Sequence, residues 1–470
     1  MRYVSTRGLA PVLDFEGVLL AGLAEDGGLY LPESWPQFSV AEWRAMRGLS
    51  YNELAFRVMR PFLGGLITDA DFRRMIAEAY GSFGHKAVTP LSQLDANDWL
   101  LELYHGPTIA FKDVALQLLG RLFDWALARS GKRATILGAT SGDTGSAAIE
   151  GCRGREALEI FILFPHGRVS DVQRRQMTTV ADKNVHAIAL QGTFDDAQAM
   201  VKTLFGEPDF RKRAGLTAVN SINWARVMAQ IVYYAAAALS LGAPDRPVSF
   251  CVPTGNFGDI FAGYCAARMG LPVQKLIVAT NRNDILARFF ESGAYRKGGV
   301  APTISPSMDI QVASNFERLL FDLHGRDATQ TRNLMAELDS AGGFTVSVNA
   351  LAETQHLFAA GRADEAATSA AIRQAFLQTG RLIDPHTAVG LHVAAEARAT
   401  GIVPAELPLV ILATADAAKF PAAVQAATGQ HPPLPARMAD LFERPERMTV
   451  LPNDVSAVRG FVDGIIGRRA

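Results

Sequence analysis

From about Trp99 onward the chain alternates two patterns. Short apolar runs (LLELYH, RATILGAT, ALEIFILFP, VHAIALQG, PVSFCVPTG and QKLIVATN) are separated by loops and by stretches with helical spacing. Runs that are apolar at nearly every position suit strands buried on both faces. Strands that alternate with helices build parallel sheets covered on both sides. The pattern predicts an α/β protein with two open, mainly parallel domains. The helical run NWARVMAQIVYYAAAALSL, from about Asn223, is expected to bridge them. LPLVILATA adds a last strand before a C-terminal tail of mixed character. Before Trp99 the spacing differs. VAEWRAMRGL, YNELAFRVMRPFL and DADFRRMIAEAYGSF are amphipathic helices by period, after the turn DGGLYLPE. The expected division is a helical N-terminal module over 1–95, a first α/β domain over 96–225, and a second, larger one over 226–470. A chain of 470 residues is long enough for all three.

Charge and cysteine content exclude several classes. The formal net charge of -1 gives no global attraction to nucleic acid or to an anionic membrane. Cys152, Cys251 and Cys265 cannot form a disulfide framework, and no CxxC pair suggests zinc, so no metal is expected. A reducing, cytoplasmic location is expected, since MRYVSTRGLAPV has no signal-peptide core. IVYYAAAALSLGA is too short to cross a bilayer.

Open parallel sheets bind ligands beyond the carboxyl ends of their strands, so the loops there are where chemistry is sought. After TILGA comes TSGDTGSAAIEG, residues 140–151, with Thr140, Ser141, Asp143 and Thr144 ahead of a helix. Free N–H groups and hydroxyls at a helix start make an anion seat. Neither a Walker loop nor GxGxxG is present. After SFCVP comes TGNFGDIFAGY, where Gly255 and Gly258 flank Asn256 and Phe257, and Asp259 opens a helix. This is a second anion seat. In NSINWAR, Asn220 and Ser221 precede Arg226 by about a turn, a set suited to phosphate. Thr414 ends the strand LVILATA, where a hydroxyl can meet a ring nitrogen. Each loop taken alone is also readable as a capped turn or a satisfied strand end.

Lys112 lies in YHGPTIAFKDVALQLLG, between an apolar turn and an apolar helix. Burial there disfavours the ammonium and frees the amine as a nucleophile; a snorkelling lysine at a helix start is the structural alternative. Together, one such amine and several anion seats match a phosphorylated aldehyde cofactor. Pyridoxal phosphate on Lys112, acting on a substrate with its own carboxylate and phosphate, would use them all.

HGPTIAFKD, ATSGDTGSAAIEG, NSINWAR, VPTGNFGDIFAGY, SPSMDIQVASNFERLLF, DPHTAVG and LATADAAKFP, with YVSTRG and DGGLYLPE near the start, resemble threonine synthase in its longer microbial and fungal form. The resemblance runs nearly end to end. It implies the tryptophan-synthase-like fold type II, and conversion of O-phospho-L-homoserine and water to L-threonine and phosphate. By motif, Lys112 would carry pyridoxal phosphate covalently. Gly255, Asn256, Phe257, Gly258 and Asp259 would seat its phosphate, Thr414 would contact its ring nitrogen, and Asp143 would lie near its ring oxygen. Thr140, Ser141 and Thr144 would hold the substrate carboxylate. Asn220, Ser221 and Arg226 would hold the substrate phosphate. Lys112, displaced by the substrate amine, would remove the α- and then the β-proton before water adds at the β-carbon. The chain departs from relatives that read ATAHPAKF, with Asp416 and Ala417 in place of His and Pro.

Three rival activities use much of the same set. A phospho-lyase would release 2-oxobutyrate from the same substrate. A dehydratase of hydroxy-amino acids would leave Arg226 without a phosphate to bind. A non-catalytic cofactor-binding protein would not need the full set. A monomer or a homodimer is expected, with no nucleic-acid or membrane partner. His105, Asp384 and His386 are left without a role.

Overall fold

The computed structural model describes residues 1–217 and 219–468. Two sheets form its framework. The larger has six strands in the order Phe358–Arg362, Val273–Thr280, Val248–Pro253, Leu409–Ala413, Asp98–Glu102 and Leu91–Gln93. Its first five strands are mutually parallel, and only Leu91–Gln93 runs antiparallel. Val410, on the central strand, lies between Phe250 and Trp99. The second sheet is all parallel, in the order Thr449–Pro452, Val185–Gln191, Leu158–Pro165, Ala134–Ala139 and Leu216–Thr217. All eight residues of Leu158–Pro165 are buried, as a strand covered on both faces requires.

Each sheet draws strands from both sides of residue 225. Asp98–Glu102 pairs with Leu409–Ala413 of the larger sheet, although the sequence reading places it with 96–225. Thr449–Pro452 pairs with Val185–Gln191 of the smaller one, although that reading places it with 226–470. Apolar patterning shows that a segment is a strand, but it carries no information about which sheet accepts it. The C-terminal tail is also more regular than its mixed composition suggests. After its strand, helix Val455–Ile466 packs on helix Phe194–Phe205 and buries Val458 and Val462 against Met200 and Leu204.

The N-terminal module has the expected helices Val40–Ala45, Tyr51–Met59 and Asp69–Tyr80, capped by Ser39, Ser50 and Thr68. It also holds a two-stranded ribbon, Tyr3–Ser5 with Tyr30–Pro32, on which YVSTRG and DGGLYLPE meet. The module grips the site from behind. Thr6 donates to Glu317 at 2.6 Å, and Arg7 pairs with the same carboxylate at 3.0 Å. Arg318 is wholly buried and donates to the carbonyls of Tyr30 and Ile222 and to Asn315.

The apolar helix expected at Asn223 is Trp224–Ser240, with Asn223 as its N-cap, and it lies buried between helices of both halves. Among the described residues no helix is long and apolar enough to cross a membrane. Helices Lys112–Ser130 and Asp143–Cys152 pack on each other at two glycines. A Cβ on Gly120 would lie 1.8 Å from the Gly151 carbonyl, and one on Gly151 would lie 2.4 Å from that of Leu116. Only backbone fits there.

Candidate active site

Five loops meet where strands of both sheets end. Lys112 follows Asp98–Glu102, Thr140 follows Ala134–Ala139, Asn220 follows Leu216–Thr217, Gly255 follows Val248–Pro253, and Thr414 follows Leu409–Ala413. The Lys112 and Thr414 loops are joined directly. Phe111 N–H donates to the Thr414 carbonyl at 2.8 Å, and Ala110 bridges Ala415.

Lys112 is the first residue of its helix and is buried. Its Nζ reaches Asp143 Oδ2 at 3.4 Å. Burial pushes its pKa below the usual lysine value; Asp143 opposes that, and the cations of Lys419 and Arg226 reinforce it. The turn before it is strained: Ile109, a β-branched residue, has φ +55°.

Asp143 is the centre of the polar network. Its Oδ1 accepts from Gln173 at 2.9 Å and meets Lys419 Nζ at 3.0 Å. Its Oδ2 accepts from Ser307 at 3.0 Å as well as facing Lys112. Burial would raise its pKa, but the cations of Lys419 and Lys112 outweigh that and hold it well below the usual carboxylate range. Gly142 has φ +138°, and a Cβ there would strike Gln173 at 2.4 Å, so the glycine makes room for that partner.

The first anion seat is partly used by its own loop. Thr140 Oγ1 accepts from the N–H groups of Gly142 and Gly145, both at 2.9 Å. Only its O–H proton is left for a ligand. Ser141 and Thr144 are half-buried, with no hydrogen bond from their hydroxyls to the described residues.

The second seat is the turn 254–258. Phe257 adopts the left-handed conformation at φ +63°, with its ring packed against Phe290, Phe316 and Phe358. This turns the chain sharply into helix Gly258–Arg268. A Cβ on Gly255 would meet the Ser307 carbonyl at 2.8 Å. Asn315 fastens the turn: its N–H and Nδ2 both donate to the Asn256 carbonyl, and Nδ2 also reaches the Ser221 carbonyl at 3.2 Å. The Asn256 side chain is exposed. Asp259 does not face the seat with its carboxylate. Its Oδ1 accepts from Tyr233 and Tyr234, and burial pushes it up to about 6. What Asp259 offers an anion is its main-chain N–H in the first helical turn.

Arg226 and Arg318 are both buried, yet differ in their partners. Arg318 is served by three acceptors. Arg226 donates Nη1 to the Val219 carbonyl at 3.1 Å, and its Nε has no partner. Burial pulls it down to about 10. A buried guanidinium with no carboxylate among the described residues is poised for an anionic ligand. Asn220 is exposed and Ser221 half-buried at the entrance to its helix.

Thr414 is buried, with its N–H donating to Thr387 Oγ1 at 3.3 Å and its hydroxyl bound to none of the described residues. The loops thus present a buried amine, N–H groups at two helix starts, a free hydroxyl and an uncompensated guanidinium. That donor set fits a phosphorylated aldehyde and an anionic substrate. Among the described residues no cluster could hold a metal.

Four contributors escaped the sequence reading of the site: Gln173, Ser307, His386 and Lys419. Ser170-x-x-Gln173 is legible as a capping box. The other three reach Asp143 only through the tertiary fold. His105 Nε2 donates to Glu102 at 2.8 Å, and Arg381 pairs with the same carboxylate at 3.0 Å. Burial opposes ionisation of Glu102, yet His105, Ser92 and Arg381 hold it down to about 2. Asp416 caps its own turn through Ala418 N–H at 2.9 Å.

Comparison with known proteins places the fold in a family. Residues 2–80 match the family described as threonine synthase N terminus, and 387–462 match threonine synthase, C-terminal. Residues 83–352 match the family of pyridoxal-phosphate dependent enzymes. The threonine synthase of Pseudomonas aeruginosa is 58% identical over 463 residues, covering 98% of both chains. The structure of threonine synthase from Brucella melitensis superposes with a TM-score of 0.96 at 58% identity, covering 99% of each chain. The yeast enzyme superposes at 0.93 with 39% identity and the same coverage. With its fold and both terminal segments matched, this chain belongs to the threonine synthase family of pyridoxal-phosphate dependent enzymes.

Proposed function

We propose that the five loops bind pyridoxal phosphate on Lys112 and convert O-phospho-L-homoserine and water into L-threonine and phosphate. The observation that carries the substrate assignment is Arg226: a buried guanidinium with an orphaned Nε, close enough to Lys112 to depress its pKa. Its natural ligand is the leaving phosphate, since a leaving group departs more easily when its charge is held. Asn220 and Ser221 add polar donors at the same helix entrance.

When bound, the cofactor supplies an aldehyde carbon for amine exchange and a ring that takes up charge as protons leave the substrate. Everything else is done by the chain. The N–H groups of Gly258 and Asp259, with the Asn256 side chain, would hold the cofactor phosphate at a helix start. The Thr414 hydroxyl, left without a partner, would hydrogen-bond the ring nitrogen. Ser141 and Thr144, with the Thr140 O–H, receive the substrate carboxylate. Lys112, once freed from the cofactor, would be the base that takes protons at Cα and Cβ and then supplies protons at Cγ, where phosphate has left, and at Cα, while water adds at Cβ. Asp143 holds the lysine toward that work.

The test is a product assay on the purified protein with pyridoxal phosphate and O-phospho-L-homoserine. Threonine and phosphate are expected in equal amounts by mass spectrometry. Phosphate with 2-oxobutyrate would overturn the water-addition step. No phosphate from a cofactor-loaded protein would overturn the substrate.

A further inference from the structure

Lys419 takes no part in the proposed reaction, yet it is fully buried beside Asp143. Of the two amines on that carboxylate it is the nearer, at 3.0 Å against 3.4 Å for Lys112. It also donates to the Thr108 carbonyl at 3.0 Å, in the turn that leads to Lys112. Its own carbonyl accepts from Ser170 Oγ at 3.2 Å, the N-cap of the helix that carries Gln173. We propose that Lys419 is a positioning residue that fixes Asp143 and balances its charge, leaving Lys112 as the amine that gives up its proton. The proposal rests on Lys112 being the cofactor lysine.

The charges around Asp143 support this division. Lys112 and Lys419 face it from two segments of the chain, and Arg226 is a further cation near Lys112. Asp113 lies behind Thr108, is occupied by the Thr108 N–H and hydroxyl, and is pushed up to about 6 by burial. One carboxylate cannot neutralise two buried ammonium groups beside an unpaired guanidinium. Lys419 has the shorter contact and a second acceptor. Lys112 has a single acceptor, and a longer contact to it. Lys419 is therefore the amine tied to Asp143, and Lys112 the one held loosely.

The experiment follows capture of pyridoxal phosphate by cofactor-free protein across neutral and alkaline pH, read by absorbance. Only a neutral amine captures the aldehyde, so the midpoint reports Lys112. In Lys419→Met and Lys419→Gln the midpoint is expected to rise by about one pH unit or more, because a like charge is gone and Asp143 is left to Lys112 alone. Lys419→Arg should restore the wild-type midpoint, and the acid limb of kcat should move with the capture curve while KM stays nearly constant. An unmoved midpoint in variants with the wild-type unfolding temperature overturns the proposal. Should neither neutral variant fold, reductive methylation of wild-type cofactor-free protein decides. Lys112 must be modified before Lys419, and the reverse order overturns the proposal. Borohydride trapping and peptide mapping separate the two readings. Capture away from Lys112 overturns both, and capture at Lys112 with an unmoved midpoint overturns the Lys419 role alone.

Discussion

His386 is held by Asp384 in a single tautomer. Asp384 Oδ1 accepts from Nδ1 at 2.8 Å, which leaves Nε2 as the acceptor for the Ser307 N–H at 3.1 Å. Ser307 in turn donates to Asp143. A carboxylate two residues away from an imidazole thus positions a segment nearly eighty residues upstream, against the centre of the site.

Asp384→Asn breaks this arrangement, because Asp384 accepts from four groups and caps its helix as well. An amide has one acceptor oxygen and adds a donor facing donors. The expected cost is about 1–3 kcal/mol of stability, read by chemical unfolding. His386→Asn, which keeps an acceptor for Ser307 N–H, should lose less.

Arg226→Met should separate function from stability. Removing an uncompensated buried cation is neutral or stabilising, while a phosphate-bearing substrate loses its main anchor. The expectation is an unfolding midpoint at or above wild type, with kcat/KM for O-phospho-L-homoserine down by about a hundredfold or more. A drop in both would show that Arg226 is chiefly structural.

Asp259 should make stability depend on pH. Burial raises its carboxyl to about 6, against an ordinary value near 4. The folded state then binds this proton more tightly than the unfolded chain does. Stability from this group is full below about pH 4 and is lost as pH rises to about 6, by roughly 2–3 kcal/mol. Asp259→Asn removes the effect. Its unfolding free energy should exceed wild type at neutral pH, and the gap should close as pH falls toward 4.

Gly120→Ala should impair turnover, although alanine is the better helix former by about 1 kcal/mol. Its methyl would meet the Gly151 carbonyl at 1.8 Å, so the two helices must part. An overpacking cost of about 1–3 kcal/mol is expected in unfolding, with kcat reduced by about tenfold or more.

The sequence made the strands of both sheets legible wherever a run was long and wholly apolar, as in ALEIFILFP. It missed Leu91–Gln93, Leu216–Thr217, Phe358–Arg362 and Thr449–Pro452, which are short or half-exposed edge pieces with little apolar pattern. The site loops were found because they follow strands and carry hydroxyls and glycines. What sequence could not give was direction. Asp259 and Thr140 have suitable chemistry in suitable loops, yet one carboxylate faces two tyrosines and one hydroxyl oxygen is consumed by its own turn. Lys419 and Ser307 stand far along the chain from Asp143 and meet it only because distant loops converge.

The glycine contact between the Lys112 and Asp143 helices has a geometric consequence. Gly120 and Gly151 each stand eight residues after the first residue of their helix, the residue that faces the other across the site. Eight residues of helix make an arm of about 12 Å. The two helices are therefore the equal legs of a pair of dividers, jointed at the glycines and pointed at the amine and the carboxylate. At that radius each degree of opening moves the points by about 0.2 Å, so five degrees separates them by about 1 Å, a misplacement that can cost catalysis a hundredfold. The joint is backbone against backbone, without a side chain that could change rotamer, and so the gap at the points is set by the angle at which two rigid rods touch.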